Sequence, residues 1–590
     1  MPDSPSLNVE GPVEVEITSE GTKIPDSYEV MAVRTRAQTN RIPEAVIILA
    51  DGDVATSDFP ATDSTNFKPG AEIKIKAAFG AATTEEIFSG VVTAVRLRVN
   101  LGETRLEVTC RDKFFKTTMG RKSAIFLKKK DSDIISALAS GAGLSATATT
   151  TTEEWPELVQ SRVTDWDFIL MRAEANGLVV NVTDGQAEVK APLESAAAPI
   201  SVTYGEDLYE LDVETDLRDQ FATYKAEAWD PATQAVVSGE GTVTTTKSLG
   251  DLSSKDLSDA TTADLTTLTS SAITASYLTT MMKARATRSE VGKLRGTVKF
   301  IGNAKVKPGV TLELDGVATR FKGKGYVSSV VHRIEGGAWM TEAGLGLAAD
   351  WHSDQPDEIE MPGATGIAAP MRSLQIGKVT KLSEDPDGLH RIQVKLPMVA
   401  GSDSSDSVWA RYSAPYASKA IGLMMLPEID DEVVIGFLDD NPSYPIILGS
   451  LHNGTAARPQ AVEDENNNIK VFLSREKLKL EFDEENKKIT IETPGGNTMI
   501  FDDTEGSVTI KDQNGNSGVF DSSGITLDSA SNIVIKAGGN IDIKATGNTT
   551  IEGVNVEAKG SAAFKGNGGG SAELSAGGSA KVSAPMVQIN

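Results

Sequence analysis

The sequence predicts a mainly β protein of three to five domains, and three observations predict this class. Short runs of alternating apolar and polar residues, such as EVEI, AEIKIKAAF and TRLEVTC, recur through the first 350 residues. Five short strand patterns crowd into residues 371–453, and residues 470–590 are short β segments split by Gly, Asn and Asp. We therefore expect β-barrel domains with a few helices, an OB-fold barrel, and a C-terminal intertwined trimeric β-helix, or β-prism.

Composition excludes several classes of protein. The 590-residue chain has a formal net charge of −26, which disfavours nucleic acid and anionic membranes as main partners because phosphate groups would be repelled. Its one cysteine, Cys110, excludes an internal disulfide and a cysteine-cluster metal site. No apolar run is long enough for a membrane-spanning helix, and the N-terminal segment lacks the basic and apolar regions of a secretory signal. We expect assembly in the cytoplasm without a signal peptide.

Residues 1–352 are interpreted as β domains with helical insertions. Capped helices are predicted from Asp131 and after Thr164, each ending at glycine, and a third helix is predicted around Tyr277–Arg288. Residues 231–275 are rich in Thr, Ser and Gly and poor in aromatic residues, so they are predicted to form a long loop or mobile insertion.

The second half divides at changes of composition. Residues 353–370 are predicted to be an interdomain linker, residues 371–453 the OB-fold domain, and residues 454–469 a short polar connector. Residues 470–590, which we call the needle, are predicted to form the intertwined β-helix. The connector at residues 454–469 is too short to fold a separate enzyme between the barrel and the needle.

An eight-residue repeat marks the end of the chain. Asn532, Asn540 and Asn548 fall eight residues apart, and apolar residues follow each at matching phase. One octad supplies about one strand and one corner, so a closed prism needs about three strands at each level, and three chains wound together are the economical solution. The predicted trimer core of the needle is Ile533, Ile535, Ile541, Ile543, Ile551 and Leu574.

No catalytic, metal or cofactor site is predicted. The histidines His332, His352, His390 and His452 match no short metal-binding spacing. Acid pairs at residues 430–431, 439–440 and 502–503 each adjoin a turn signal, so solvated turns are favoured over glycosidase carboxylates. The run Lys128–Lys130 is interpreted as a solvated loop, with an anion site as the alternative.

The ordered motifs resemble the VgrG spike family, which is related to the hub and spike of contractile phage tails. The resemblance is clearest at Ile376-GKVTKLSEDPDGLHRIQVKLP, Val408-WARYSAPYA and Leu426-PEIDDEVVIGFLDDNPSYPIILGSLH. Further matches are Thr164-DWDFILMRAEANG in the first half and Ile489-TIETPGGNTMIFDDTEGSVTIKDQNGN in the second. Within the family, the phrases DPDGLHRIQVKLP and DDEVVIGFL are most similar to spikes of extracellular, phage-tail-like contractile injection systems.

The resemblance implies a homotrimeric spike that pierces a target cell envelope when a sheath contracts. Some members of the family carry an enzymatic domain, but the short connector here leads us to expect a non-enzymatic spike. It also implies inner-tube or tube-initiator and baseplate proteins at the N-terminal hub, and a PAAR-type tip protein at the other end. The implied location is a phage-tail-like particle, which the closest resemblance would place outside the producing cell. The alternatives are a spike of a membrane-anchored type VI secretion system or of a contractile phage tail.

Two further interpretations stay open. A wall-degrading spike would need a catalytic insert, which the sequence does not offer. A carbohydrate- or single-strand-binding OB domain would need an aromatic, basic face, for which the sequence offers only Trp409, Tyr412, Tyr416 and Lys395.

The C-terminal residues are predicted to dock the tip protein. The chain ends in phase with its strands, and Val587, Ile589 and Asn590 would leave apolar side chains and strand edges open to water. A β-rich cone could cover them by adding strands.

Overall fold

The computed structural model describes residues 2–7, 9–80, 82–192, 198–245, 247, 249–355, 359–399, 407–462 and 464–589. The chain separates into two compact units, Met1–Ile429 with Val433–Gly449, and Asp430–Glu432 with Ser450–Asn590. No helix among the described residues is long and apolar enough to cross a lipid bilayer. The structure confirms the predicted mainly β class and the OB-fold barrel.

The described part of the first unit begins with a region of 21 strands and four helices. Its first strands are β1 Val13–Ser19, β2 Thr22–Lys23, β3 Glu29–Gln38, β4 Glu44–Ala50, β5 Glu72–Phe79, β6 Glu85–Asn100, β7 Glu103–Arg111, β8 Lys122–Lys130, β9 Ser145–Ala148, β10 Glu154–Val163, β11 Val179–Thr183 and β12 Gln186–Lys190. The remainder are β13 Ser201–Thr203, β14 Glu210–Thr215, β15 Thr223–Asp230, β16 Ala235–Gly241, β17 Asp264–Thr269, β18 Leu294–Ile301, β19 Thr311–Asp315, β20 Gly323–Glu335 and β21 Ala338–Leu345. The helices are α1 Asp131–Gly141, α2 Asp165–Ala175, α3 Ser254–Thr261 and α4 Ala275–Gly292.

Thirteen of these strands form one sheet with the order β14-β18-β21-β20-β3-β4-β7-β6-β5-β1-β2, in which β13 and β19 join through β20. Alternation builds it: in β4, Ala45, Ile47 and Leu49 are fully buried while the residues between them are partly exposed. Two separate apolar cores lie along the sheet, one under β1 and β3–β7 and one under β13, β14 and β18–β21. We call this region of the first unit the hub.

The helices predicted from Asp131, after Thr164 and around Tyr277 are α1, α2 and α4. Thr164 caps α2, since its hydroxyl accepts from the backbone N–H of Asp167 at 3.1 Å. Asp131, in contrast, is not a cap. It is the first residue of α1, fully buried, and its carboxylate accepts from Arg172 on α2.

The prediction of a loop at residues 231–275 is wrong. This segment contains β16, which pairs antiparallel to β15, and β17, which pairs parallel to it, as well as α3 with a capping box between Ser253 and Asp256. Gly239 was one of the residues that favoured a loop, but in the structure it allows α4 to pack closely against β16. A Cβ there would lie 2.2 Å from the backbone nitrogen of Thr279, so only glycine lets α4 lie against this small sheet.

The interpretation of Lys128–Lys130 as a loop is also wrong, because all three residues belong to β8, which pairs with β10. Within the predicted linker, residues 356–358 lie outside the described residues, and short 3-10 turns occupy His352–Asp354 and Gly363–Gly366.

The OB-fold strands are β22 Gln375–Lys381, β23 Ile392–Lys395, β24 Ser407–Tyr412, β25 Ala417–Ser418, β26 Ile421–Gly422, β27 Glu432–Phe437 and β28 Pro445–Ser450. Five of them close a barrel in the order β22-β23-β24-β28-β27, and β25 and β26 form a separate hairpin. The barrel core contains Val379, Ile392, Val394, Ala410, Val433, Ile435 and Ile447, all almost fully buried.

The second unit contains β29 Ile469–Leu473, β30 Lys479–Asp483, β31 Lys488–Glu492, β32 Thr498–Asp502, β33 Ser507–Lys511, β34 Ser517–Asp521 and β35 Gly524–Asp528. Each strand pairs antiparallel with the next, so the seven form a simple meander. The predicted needle thus begins with hairpins within one chain, before the octad repeat at Asn532; its bounds and its winding with other chains stay a prediction.

Candidate functional site

The seven-stranded sheet is shaped by turns of Asp, Asn and Gly. At the β30–β31 turn the Asp483 carboxylate accepts from the backbone N–H and the side-chain amide of Asn486, at 3.1 and 2.9 Å. Asp512 accepts from Asn514 and Asn516 in the same way before β34. The hydrogen bonds from the Asn486 and Asn516 side chains hold the pKa of Asp483 and Asp512, respectively, below the usual range.

One face of this sheet carries apolar side chains in every strand, with Lys470 at the start of β29 as a charged exception. The ladder places Phe482 opposite Ile489, Ile489 opposite Phe501, and Phe501 opposite Val508. We call this surface the apolar needle face. It consists of Phe472, Leu480, Phe482, Ile489, Ile491, Met499, Phe501, Val508, Ile510, Phe520, Ile525 and Leu527.

The apolar needle face has no cover within its own chain. Phe472 is 51% exposed and Leu527 is 63% exposed, and none of the buried apolar clusters in the described part of the chain includes a residue of this sheet. A two-faced sheet is stable in water only if its apolar side is buried, and contiguous apolar surface of this extent marks an interaction site.

The opposite face is polar over most of its length, with Ile469, Val471, Leu473, Ile500 and Val519 as apolar exceptions. Glu481, Thr490 and Thr509 lie on it, and Lys479 pairs with Glu492 at 2.8 Å across the ladder. The Glu492 hydrogen bond is the main cause that raises the pKa of Lys479. One face is thus suited to water and the other to burial against protein.

Residues 529–589 behave differently. No strand pairing is assigned among them, and every described residue from 531 to 589 is exposed. The predicted trimer core residues Ile533, Ile535, Ile541, Ile543, Ile551 and Leu574 are each between 51% and 76% exposed in the single chain. Their burial between three chains stays a prediction.

At the predicted docking end, Val587 and Ile589 are 51% and 90% exposed, while Asn590 lies outside the described residues. The docking role of these three residues also stays a prediction.

A repeat in the sequence indicates the apolar needle face, but the predicted trimer core does not include the residues of this repeat. Phe482, Phe501 and Phe520 follow one another at a constant step, and Ile491 and Ile510 keep the same step. This step is the length of one hairpin, that is, two strands and their turns. Apolar residues that repeat at this step therefore lie at equivalent positions on one face of the sheet.

Two of the four candidate histidines have defined side-chain contacts. His332 is buried, and its Nδ1 is 2.9 Å from the Thr341 hydroxyl. His352 contacts Asp167 at 2.9 Å. Within the described ranges, no cluster of three or more His, Cys, Asp or Glu side chains could hold a metal ion. The predicted acid pairs do adjoin turns: Asp430, Asp439 and Asp440 have positive φ.

Of the aromatic residues of the OB-fold domain, Tyr412 and Tyr416 line one cavity of about 820 Å³, which His390 and Arg391 also line; a carbohydrate- or single-strand-binding role for this face stays a prediction. Trp409 is half-buried, Tyr416 is 57% exposed, and the Tyr412 hydroxyl donates to the Met425 carbonyl at 2.7 Å. In the described part of the chain, none of the ring–ring contacts involves these three residues. Lys395 has a polar or charged partner of its own.

Comparisons with known proteins cover most of the chain. Residues 10–336 match the family described as the Alg8 N-terminal domain, and residues 375–452 match the Type VI secretion system/phage-baseplate injector OB domain. Type VI secretion system spike protein VgrG1b of Pseudomonas aeruginosa is 23% identical over 408 residues, which are 63% of this chain and 52% of that protein.

Spike protein VgrG3 of Vibrio cholerae is 31% identical over 80 residues, which are 13% of this chain and 8% of that protein. Among solved structures, an Escherichia coli component of the type VI secretion system aligns with a TM-score of 0.39 and 13% identity, over 74% of this chain and 100% of the other. The chain spans about half the length of the first of these relatives and much less of the second.

Proposed function

Because this chain belongs to the Alg8 N-terminal domain family and is VgrG-like, we propose that it is the structural puncturing spike of a contractile injection system. In this role the chain sits at the centre of the baseplate, links the inner tube to a tip protein, and pierces the target envelope when the sheath contracts. The predicted division into hub, linker, OB-fold domain, connector and needle is part of the proposal.

The observation that carries the proposal is the uncovered apolar needle face. Twelve apolar side chains on one side of a single sheet need a protein surface against them, and a second and third copy of the same sheet supply matching faces. Three such sheets form a prism whose strands are linked by hydrogen bonds along its length, which suits a part that bears axial load.

The exposed isoleucines that follow support the same assembly. Ile533, Ile541 and their octad partners are separated by Gly, Asn and Lys, so an isolated chain has nothing to bury them against. Intertwining three chains would pair their strand edges and remove the risk of lateral aggregation.

A non-enzymatic role is proposed for the same reasons. The features described above offer β structure and apolar interfaces suited to bearing force, whereas His332 and His352 contact other side chains and Asp430, Asp439 and Asp440 lie in turns. The proposed partners are inner-tube and baseplate proteins at the hub and a PAAR-type tip protein that covers Val587, Ile589 and Asn590.

The first test is the mass of the purified full-length chain by light scattering, for which we expect three times the chain mass. Ile543→Asp should abolish the trimer, because three carboxylates would meet at its axis. The neighbouring charge change Lys544→Asp is the matched control and should leave it intact. A folded wild-type monomer at micromolar concentration would refute the proposal.

The second test concerns the tip. The full-length chain should co-purify with the PAAR-type protein encoded beside it, and a chain truncated before Lys581 should not. Equal recovery with both chains would place tip docking elsewhere.

The names of the relatives favour a second setting, a spike of a type VI secretion system. Recovery from the culture medium of sheathed particles that contain this chain would support an extracellular contractile injection system. Recovery of the chain only in cell-associated sheaths would support the type VI alternative.

A further inference from the structure

The water-facing side of the hub sheet carries a groove lined by arginines. It has a volume of about 400 Å³ and crosses strands β20, β3, β4, β7 and β6. We call it the arginine groove. Its charged walls are Arg34, Arg98, Arg105, Arg333, Glu107 and Glu335, and its floor includes the half-buried Val46 and Ile48.

Strand register forces two of these arginines together. In the ladder between β3 and β20, Arg34 lies directly opposite Arg333. Val33 and Thr35, on either side of Arg34, are buried, so the Arg34 side chain is on the solvent side of the sheet. Like charges directly opposite each other on one face destabilise a sheet, so this pair lowers the stability of the hub.

The other arginines are neutralised and these two are not. Arg105 donates to Glu103 through both Nε and Nη2, the latter at 2.6 Å, and Arg98 is 3.1 Å from Glu107. Among the described residues, the Arg333 side chain has one distant ion-pair partner, Glu342, at 3.8 Å. Across the described residues, the side chain of Arg34 makes no hydrogen bond or ion pair.

Charge complementarity identifies the kind of ligand. Once the pairs of Arg98 with Glu107 and of Arg105 with Glu103 are set aside, Arg34 and Arg333 face Glu335 alone among the groove residues, which leaves a small positive excess on a chain whose total charge is −26. An acidic protein therefore keeps a basic site at a cost in stability, which is the pattern of a surface retained for binding. Carboxylates fit arginine forks in two-point contacts.

The same groove is unsuited to a polyanion. Glu107 and Glu335 would repel a continuous phosphate backbone, as would the charge of the whole chain. Val46 and Ile48 between the charges favour a ligand that brings an apolar side chain as well. These features describe a protein segment with carboxylates beside an apolar residue.

We propose that the arginine groove docks an acidic segment of a partner protein, with carboxylates on Arg34 and Arg333 and an apolar side chain on Val46 and Ile48. The inference rests on the hub alone and does not depend on the proposed spike function.

The test uses a fluorescent ten-residue peptide of alternating Glu and Val as the probe, with fluorescence anisotropy of the full-length protein at low salt. We expect saturable binding that weakens at least tenfold with Arg34→Gln and with Arg333→Gln. Arg41→Gln, at an exposed arginine outside the groove, is the matched control and should bind as wild type. The same peptide with Gln in place of Glu should not bind.

Thermal melting shows whether the groove variants are still folded, so that a loss of peptide binding can be assigned to the groove. Both groove variants should melt at or above the wild-type temperature, since each removes a like-charge contact. Equal peptide binding by wild type, Arg34→Gln and Arg333→Gln would overturn the proposal, and so would the absence of binding to wild type. Tighter binding of a ten-nucleotide single-stranded DNA than of the Glu–Val peptide, lost in Arg34→Gln, would also overturn it.

Discussion

Arg172 holds Asp131 with both arms of its guanidinium group, Nε to Oδ1 at 2.7 Å and Nη2 to Oδ2 at 2.9 Å. Asp131 is fully buried, and it also accepts from the Asn176 amide at 2.8 Å. Arg172 in turn donates to the Tyr277 hydroxyl, so α1, α2 and α4 meet at one ion pair. Burial opposes the charge on Arg172, but the Asp131 hydrogen bonds prevail and raise the pKa of the guanidinium.

Asp131→Asn should destabilise the hub by about 3 kcal/mol or more, because it leaves a buried arginine without its counter-ion. Chemical unfolding followed by tryptophan fluorescence measures this, since the Trp155 ring lies 5.1 Å from the Arg172 guanidinium carbon. Asp26→Asn, which removes an exposed pair with Lys23, is the control and should change the unfolding midpoint little. Equal effects of the two substitutions would show that the buried pair is not special.

The hub should lose stability in mild acid through His332. Burial, helped by repulsion from Lys307, lowers the pKa of His332 from 6.5 to about 4. The unfolded chain therefore binds a proton that the folded chain does not between these pH values, so stability falls as pH drops from 6.5 towards 4, by up to about 3 kcal/mol.

His332→Gln should reduce the slope of unfolding free energy against pH in that window. The Trp339 indole donates to the His332 Nδ1 at 3.3 Å, which fixes the neutral ring as an acceptor there. A slope equal to that of wild type would mean that His332 takes up no extra proton on unfolding.

The apolar needle face should control self-association. Ile510→Asp places a carboxylate on that face, while Thr509→Asp places one on the polar side of the same strand. We expect Ile510→Asp to weaken the assembly at least tenfold and Thr509→Asp to leave it unchanged. Sedimentation velocity over a concentration series separates the two. Intact assembly in Ile510→Asp would show that this face meets water.

Cys110 should be inert until the hub unfolds. It is fully buried, and burial raises the pKa of its thiol to about 12. A colorimetric disulfide reagent at pH 8 should detect no thiol in the native protein and one per chain in guanidinium chloride. Ser57→Cys, at an exposed loop position, is the positive control and should react in the native state. Rapid reaction of the Cys110 thiol in the native wild-type protein would show that β7 opens without unfolding of the hub.

Local patterns were sufficient to predict much of the fold. Each strand of the OB-fold barrel has its own alternation and a Gly, Asp or Pro boundary, as in β27 between the turn at Asp430 and the turn at Asp439. Helix α2 carries both of its end signals, Thr164 and Gly177, within its own sequence. Such elements depend little on distant residues.

Elements fixed by distant partners were not predictable. Strand β17 exists because Leu265 and its neighbours pair with β15, from which β16 and α3 separate it in the sequence. The glycines of β16 are explained by α4, which comes later in the chain. The like-charge pair of Arg34 and Arg333 is visible only once strand register is known.

The pairing of β3 with β20 also delays the folding of the hub during synthesis. Ala37 lies opposite Val330, so most of the hub sequence separates the two, whereas each strand of the C-terminal meander pairs with the strand made just before it. At about 5–20 residues per second on the ribosome, one edge of β3 stays open for roughly 15–60 s. The hub sheet must therefore wait for distant sequence, whereas the strands of the meander pair locally and wait only for other chains to cover the apolar needle face.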